Sequence, residues 1–147
     1  MKDKATIQTN KGTIVMELYP TLAPNTVANF TKLAKAGFYN GLVWHRVENW
    51  VVQTGDPTGT GTGGSKDRLA LEIAKGLSNV RGAVGMARSQ DRNSATSQFY
   101  IVKSDAKSLD NNYAVFGMVV EGLDVVDKLA IGDKMLTVTV EAGAVPK

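Results

Sequence analysis

The sequence holds few of the residues that commonly act as nucleophiles, bases or metal ligands. It contains no cysteine and a single histidine, His45. The missing cysteines exclude thiol nucleophiles, disulfides and thiolate metal sites, and one histidine is too few for most histidine-based metal sites. No G-x-S-x-G motif supports a serine hydrolase. The residue types therefore indicate neither a metal centre nor a nucleophilic triad.

His45 is the one side chain that titrates naturally near neutral pH. It lies in an alternating segment, in which Val43, His45 and Val47 share one face of a strand and Trp44 and Arg46 share the other. A histidine on a valine face is more often structural than catalytic. We therefore interpret His45 as a hydrogen-bonded structural residue, with general-base catalysis as the alternative.

Polar side chains also interrupt segments that are otherwise rich in strand-forming residues. They are Arg46, Gln53, Gln98 and Tyr100. An arginine in mid-strand is costly unless its guanidinium is solvated or bound, and an exposed edge position is the alternative explanation. A β-surface that offers hydrogen-bond donors beside apolar and aromatic area is suited to an extended peptide.

The segment Gly59–Gly64 fits the pattern G-x-G-x-x-G of dinucleotide-binding folds. That fold needs the glycines to open a helix within a βαβ unit, whereas Asp56-Pro57 separates them here from the preceding strand. The P-loop pattern also fails, because Ser65 stands between Gly64 and Lys66. We favour a loop that shapes the edge of a groove, and phosphate binding stays open as the alternative.

The elements that must position these residues are mostly strands. Alternating apolar residues predict a β-hairpin that turns at Asn10–Gly12, and helical spacing predicts a helix from Pro24 to Gly37 and a short second helix after Gly122. Further strands are predicted over residues 42–53 (two strands), 80–86, 98–102, 113–120 and 135–140. Seven or eight short strands with two helices indicate a closed barrel or a sandwich.

Length and composition indicate one ordinary globular domain over residues 1–147. The net charge of +3 is spread along the chain, which disfavours a nucleic-acid partner. No apolar stretch approaches the length of a membrane span, and Met1–Lys4 leads into an alternating segment rather than a signal peptide. We therefore expect a cytoplasmic protein with no membrane contact.

Several motifs, in order along nearly the whole chain, resemble those of cyclophilins, and most closely those of compact bacterial-type members. The matching segments are Trp44–Val47, Gln53–Asp56, Gly61–Gly64, Gly82–Ala87, Ser94–Ile101 and Leu109–Gly117. The resemblance implies a mainly β fold, a closed eight-stranded antiparallel barrel with two capping α-helices. It also implies peptidyl-prolyl cis–trans isomerase activity that assists protein folding, without metal or cofactor, in a groove on the outer barrel surface.

The resemblance assigns catalytic positions to Arg46 and Gln53, with Arg46 stabilising the twisted amide electrostatically. The substrate-binding positions that it implies are Trp50, Val51, Gly61, Ala87, Arg88, Gln98, Tyr100, Leu109 and Tyr113. The implied partners are proline-containing peptides and unfolded or folding proteins, bound by a monomer. The alternative class is a module with the same groove that binds proline peptides without catalysing their isomerisation.

The chain departs from the common family pattern at several of these positions. The loop from Arg46 to Gln53 is one residue shorter than the common eukaryotic pattern. Trp50 and Val51 stand where Phe and Met are usual, Tyr100 where Phe is usual, Tyr113 where His is frequent and Ser108 where Trp is frequent. Because the tryptophan position touches cyclosporin more than substrate, we expect weak cyclosporin binding.

Overall fold

Antiparallel strands make up most of the regular structure. The computed structural model describes residues 3–73 and 76–143. The strands are β1 (Asp3–Thr9), β2 (Gly12–Leu18), β3 (Arg46–Val47), β4 (Val51–Thr54), β5 (Ala83–Met86), β6 (Phe99–Val102), β7 (Val115–Glu121) and β8 (Met135–Glu141). The helices are α1 (Pro24–Lys35) and α2 (Leu123–Lys128), and a 3-10 turn spans Lys107–Leu109. No helix in these residues is long and apolar enough to cross a lipid bilayer.

All eight strands belong to one sheet, in the order β3-β4-β6-β5-β7-β2-β1-β8. The sheet is open and curled, so the expectation of a closed barrel is wrong: β3 and β8 are edges that do not pair with each other as strands. The segment before β3 meets the segment before β8 only at the isolated bridge between Val43 and Lys134 and at nearby backbone hydrogen bonds, such as that from Trp44 N–H to the Asp133 carbonyl (2.8 Å). This stretch of facing backbone is too short to form a ladder between the edges.

The predicted hairpin is confirmed, with its apolar residues on one buried face. Ala5 and Ile7 of β1 and Ile14, Met16 and Leu18 of β2 are fully buried. The strands pair in register from Asp3–Leu18 to Thr9–Gly12. Because side chains alternate along a strand, this register places the apolar set of both strands in the core.

Helix α1 covers the core with an aromatic contact at its centre. Phe30 lies 5.1 Å from the Tyr39 ring and 5.3 Å from the Phe99 ring, centroid to centroid. The helix begins at Pro24 as predicted, and the Glu72 carboxylate accepts the backbone N–H of Thr26 at 2.6 Å. The first backbone N–H groups of a helix have no partner within the helix and usually bond to an N-cap side chain. Here the carboxylate of Glu72, distant in the sequence, accepts them instead.

Several predicted strands are shorter in the structure than in the sequence pattern. β5 begins at Ala83 rather than at residue 80, because Gly82 has a φ of +92° and Ala83 N–H bonds back to the Val80 carbonyl. β7 begins at Val115 rather than at residue 113. The residues outside the strand ends therefore belong to the loops that border the site described below.

Candidate active site

A row of cross-strand partners forms the base of the site. Arg46 of β3 lies opposite Gln53 of β4, Gln53 lies opposite Tyr100 of β6, and Tyr100 lies opposite Gly85 of β5. Residues directly opposite each other in adjacent strands project from the same face of the sheet. The register thus brings together Arg46, Gln53 and Tyr100, which are far apart in the sequence.

Most of the predicted site residues line one groove. A cavity of about 320 Å³ is lined by Arg46, Trp50, Val51, Gln53, Ala87, Arg88, Tyr100, Leu109 and Tyr113. The other two predicted residues, Gly61 and Gln98, line an adjoining cavity of about 600 Å³, which shares Gln53, Ala87 and Arg88 with the first. Because the two cavities share three lining residues, we refer to them together as the groove.

A chain of side-chain hydrogen bonds runs along this groove. Arg46 Nη1 donates to Gln53 Oε1 (3.3 Å), and Gln53 Nε2 donates to Gln98 Oε1 (2.8 Å). Gln98 Nε2 then donates to the carbonyl oxygens of Gly61 (3.1 Å) and Gly63 (2.7 Å). These bonds define the amide orientations of both glutamines and connect the arginine with the glycine-rich loop.

Arg46 has a second polar partner, which the sequence patterns did not single out. Its Nε donates to Glu48, and Trp50 Nε1 donates to the other carboxylate oxygen of Glu48 at 3.2 Å. The Arg46 guanidinium carbon lies 5.3 Å from the Trp50 ring centroid. Glu48 belongs to none of the motifs, so no pattern in the sequence indicated this contact.

Tyr100 forms the floor of the smaller cavity and is almost fully buried. Its ring covers Gly85, where an added Cβ would overlap the ring atoms. Its hydroxyl donates to Asn79 Oδ1 at 2.5 Å, and Asn79 Nδ2 donates in turn to Asp110 Oδ1 at 3.0 Å. Burial raises the pKa of Tyr100 above its ordinary value, so the phenol stays neutral. Asn79 belongs to no recognised motif, so the sequence patterns did not indicate its contact with Tyr100.

Another wall of the smaller cavity is built from the stacked side chains of Arg88 and Tyr113. The Arg88 guanidinium lies 4.7 Å from the Tyr113 ring centroid, and Arg88 Nε donates to the Asn112 carbonyl at 2.9 Å. Tyr113 meets Tyr100 edge to face at 6.0 Å between centroids. A second guanidinium and a third aromatic ring, after those of Trp50 and Tyr100, thus face the groove.

The glycine-rich loop is organised around the buried carboxylate of Asp56. This carboxylate accepts the Thr58 hydroxyl (2.7 Å) and the backbone N–H groups of Thr58, Thr60, Gly61 and Gly63. Burial alone would raise its pKa, but hydrogen bonds from Thr58, Gly63 and Gly61 outweigh burial and lower the pKa to about 2. The run ends in irregular backbone rather than a helix, so the dinucleotide pattern lacks the structure that it requires.

The predicted alternation around His45 is wrong. Trp44 is fully buried in the core, whereas Arg46, expected on the same face, lines the groove. The strand begins only at Arg46, and Trp44 bonds instead to Asp133 and Gly132, so the two residues belong to different pairings. The His45 ring lies next to Gly61, and burial lowers its pKa despite the nearby Asp56 charge. Neither ring nitrogen makes a well-formed hydrogen bond within the described part of the chain, contrary to expectation, although the Gln98 side chain interacts with the ring closely enough to oppose the lowering of its pKa.

Comparison with known proteins assigns the chain to a family. The model of the family described as "Cyclophilin type peptidyl-prolyl cis-trans isomerase/CLD" matches residues 4–144. The chain belongs to the cyclophilin family. A peptidyl-prolyl cis-trans isomerase of Helicobacter pylori is 47% identical over 133 residues, which cover 88% of this chain and 81% of that protein. This cyclophilin is therefore a peptidyl-prolyl cis–trans isomerase.

Solved structures agree with this assignment. A crystal structure of a cyclophilin-type isomerase from Cryptosporidium parvum matches with a TM-score of 0.90 at 26% identity, covering 98% of this chain and all of that one. A second crystal structure of that isomerase, in the presence of the dipeptide Ala-Pro, matches with a TM-score of 0.87 at 26% identity, covering 95% of this chain and 99% of that one.

Within residues 3–73 and 76–143 of the present chain, no group of three His, Cys, Asp or Glu side chains could hold a metal ion.

Proposed function

We propose that this cyclophilin binds the proline of an extended peptide in the smaller cavity and that Arg46 catalyses rotation of the preceding peptide bond. The observation that carries the proposal is the row of Arg46, Gln53 and Tyr100 across three adjacent strands. It places a charged donor, an amide and an aromatic floor side by side. The Ala-Pro dipeptide named for the Cryptosporidium parvum relative supports the choice of ligand.

Rotation about an Xaa-Pro bond is slow because the C–N bond has partial double-bond character, with a barrier of about 18–20 kcal/mol. At the transition state the bond is twisted, conjugation is lost, and the lone pair of the proline nitrogen becomes localised. A hydrogen-bond donor directed at that nitrogen is useful only there. It therefore stabilises the transition state more than either ground state, which is the requirement for catalysis.

Arg46 has the properties of such a donor. A guanidinium stays protonated throughout the physiological range and carries five N–H groups in a planar arrangement. Arg46 directs Nε to Glu48 and Nη1 to Gln53, while Nη2 has no hydrogen-bond partner among the described residues. In the proposed mechanism Nη2 donates to the proline nitrogen, and the Gln53 amide holds the guanidinium or bonds the rotating carbonyl.

Apolar contact would hold the proline ring while the amide turns. Tyr100 supplies the buried floor, and Val51, Leu109 and Trp50 supply apolar walls. The flanking peptide residues would lie in the larger cavity beside Gly61 and Gln98. Holding the proline ring in this way makes the other side of the peptide bond turn against a fixed reference.

An isomerisation assay on Xaa-Pro peptides tests the proposal. Exchange measured by NMR needs no coupled protease, and the rate should rise with enzyme concentration and persist in the presence of a chelator. A chelator-sensitive rate would contradict the metal-free mechanism. Binding of the peptide with no acceleration in several peptide contexts would instead support a binding module.

We also propose that the activity assists protein folding. Acceleration of a refolding reaction whose rate is limited by proline isomerisation would test this role.

We further propose that cyclosporin binds weakly, because an exposed serine supplies little contact area. Ser108 lies in the 3-10 turn that ends at Leu109, a groove residue. Ser108→Trp should tighten cyclosporin binding, measured by calorimetry, because an indole adds a large apolar surface and a donor. Equal affinity of both forms would show that this position does not contact the ligand.

A further inference from the structure

We propose that Glu48 is a positioning residue of the active site, whose carboxylate holds the Arg46 guanidinium and the Trp50 indole in fixed relative positions. The inference rests on the catalytic role proposed above for Arg46. The carboxylate divides its two oxygens, with Oε2 accepting from Arg46 Nε and Oε1 accepting from Trp50 Nε1 at 3.2 Å. One side chain thereby connects the charged group and an apolar wall of the same cavity.

The backbone that carries Glu48 is anchored on both sides. Glu48 N–H donates to the Val51 carbonyl at 2.8 Å, which closes the turn between β3 and β4. Lys103 Nζ donates to the Glu48 carbonyl at 3.1 Å, and Lys103 N–H donates to the Trp50 carbonyl at 2.7 Å. The carboxylate therefore projects from a turn that is fixed to the end of β6, rather than from a free loop.

The bonds of Arg46 to Glu48 and Gln53 leave Nη2 of its guanidinium for the substrate. With Nε bonded to Glu48 and Nη1 bonded to Gln53, the plane of the group is set from two directions. A planar guanidinium that is held at two of its nitrogens presents the third at one angle. Glu48 thus acts on the reaction through the orientation of Arg46 and not by touching the peptide.

The charges around Glu48 keep it in the form that this role requires. The hydrogen bond and charge of Arg46 lower the pKa of Glu48 below its ordinary value, and the Trp50 N–H acts in the same direction. The carboxylate is therefore ionised at neutral pH.

The first test detects the contact between Glu48 and Trp50 by NMR and needs no activity assay. The chain has two tryptophans, so the ¹H–¹⁵N spectrum should hold two side-chain indole signals. At pH 7, Glu48→Gln should shift the Trp50 signal and leave that of Trp44, which is buried in the core, unchanged. An unchanged Trp50 signal would overturn the proposal, because Glu48→Gln replaces one of the two accepting oxygens with a donor NH2 group and removes the negative charge, so the indole and the guanidinium cannot both keep their present contacts.

The second test measures kcat/KM for an Xaa-Pro peptide. Glu48→Gln should lower it by about three- to tenfold, mainly through kcat, and the double variant Arg46→Ala/Glu48→Gln should be no slower than Arg46→Ala alone, because Glu48 acts through Arg46. Asp127→Asn is the matched control, because it breaks an ion pair of similar exposure, Arg81–Asp127. The side chains of that pair are 42% and 43% exposed, and those of Arg46 and Glu48 are 42% and 44% exposed. This control should leave kcat/KM unchanged.

The outcomes separate failure of this inference from failure of the proposed mechanism. If Arg46→Ala keeps native activity, the role proposed for Arg46 fails. If Arg46→Ala is slow but Glu48→Gln matches the native enzyme in rate, only the positioning role fails. A faster Glu48→Gln enzyme would also overturn it, since the carboxylate would then be a competitor of the substrate for the guanidinium.

Discussion

Arg46 concentrates most of the proposed chemistry in one side chain. We expect Arg46→Ala to lower kcat/KM by at least about tenfold, which corresponds to about 1.4 kcal/mol of transition-state stabilisation. Arg46→Lys should also be impaired, because an ammonium cannot serve Glu48, Gln53 and the substrate with one planar group. Circular dichroism should show that both variants fold, since Arg46 lines a groove outside the core. A folded alanine variant with native activity would remove Arg46 from the mechanism.

The pH profile separates electrostatic catalysis from proton transfer. Burial lowers the pKa of His45 below its ordinary value of 6.5, so the imidazole is neutral from about pH 7 upward. Arg46 lowers the pKa of Glu48, so this carboxylate is ionised over the same range. Because the proposed mechanism transfers no proton and Arg46 stays charged, we expect kcat/KM to be nearly flat between about pH 6 and 9. A decline in kcat/KM near neutral pH that disappears in His45→Gln would place the histidine in the mechanism.

Among the elements, strand β6 contributes the floor of the site, and a loop residue fixes that floor. Tyr100→Phe keeps the ring but leaves the buried Asn79 Oδ1 without its donor. We expect the free energy of unfolding to fall by about 1–3 kcal/mol, with kcat/KM largely retained because the apolar floor remains. Urea denaturation measures the first effect and the peptide assay the second.

Tyr113→Phe is the matched control for this prediction. Tyr113 lines the same cavity, but its hydroxyl has no hydrogen-bond partner within the described residues. Its removal should change the free energy of unfolding by less than about 0.5 kcal/mol. Equal losses of stability in the two variants would show that the Asn79 bond contributes nothing.

How far the sequence predicts each element depends on whether the signal is periodic. The hairpin and helix α1 follow from apolar spacing, because a single face of each is buried, as Ile7 and Phe30 show. The groove residues were predicted from motif resemblance, and nine of them share one cavity. Trp44 was predicted on the wrong face of its strand. The alternation of side chains between two faces does not continue where the backbone changes from one pairing partner to another, as it does between Trp44 and Arg46. Glu48 and Asn79 were missed, because their roles depend on contacts that no spacing encodes.

At the scale of the whole molecule, the Asp56 carboxylate ties the long glycine-rich loop to the sheet. Its pKa of about 2 lies below the ordinary value of 3.8, because its hydrogen bonds outweigh the effect of burial. A carboxylate with a lowered pKa in the folded state adds stability above its unfolded pKa and loses it as the pH falls toward the folded value. The contribution, about 2 kcal/mol, should therefore be present at neutral pH and disappear between pH 3.8 and about 2.

Global unfolding measured at several pH values tests this contribution. Asp56→Asn should lower the free energy of unfolding at pH 7 by about 2 kcal/mol and flatten its dependence on pH below 4. Asp67→Asn is a suitable control, because Asp67 forms an exposed pair with Lys32 away from the loop centre. If Asp56→Asn keeps the acid dependence of the native protein, another carboxylate is responsible for it.

The pairing of β1 with β8 joins the two ends of the sequence. Lys4 lies opposite Glu141, and the Asp3 carboxylate accepts the backbone N–H of Gly143 at 2.9 Å. A growing chain leaves the ribosome amino terminus first, so β1 can form its hairpin with β2 early, but its other edge has no partner until residues 135–141 have been synthesised. The sheet therefore cannot be completed until residues 135–141 have left the ribosome, and until then an isomerase of this fold carries an unpaired strand edge.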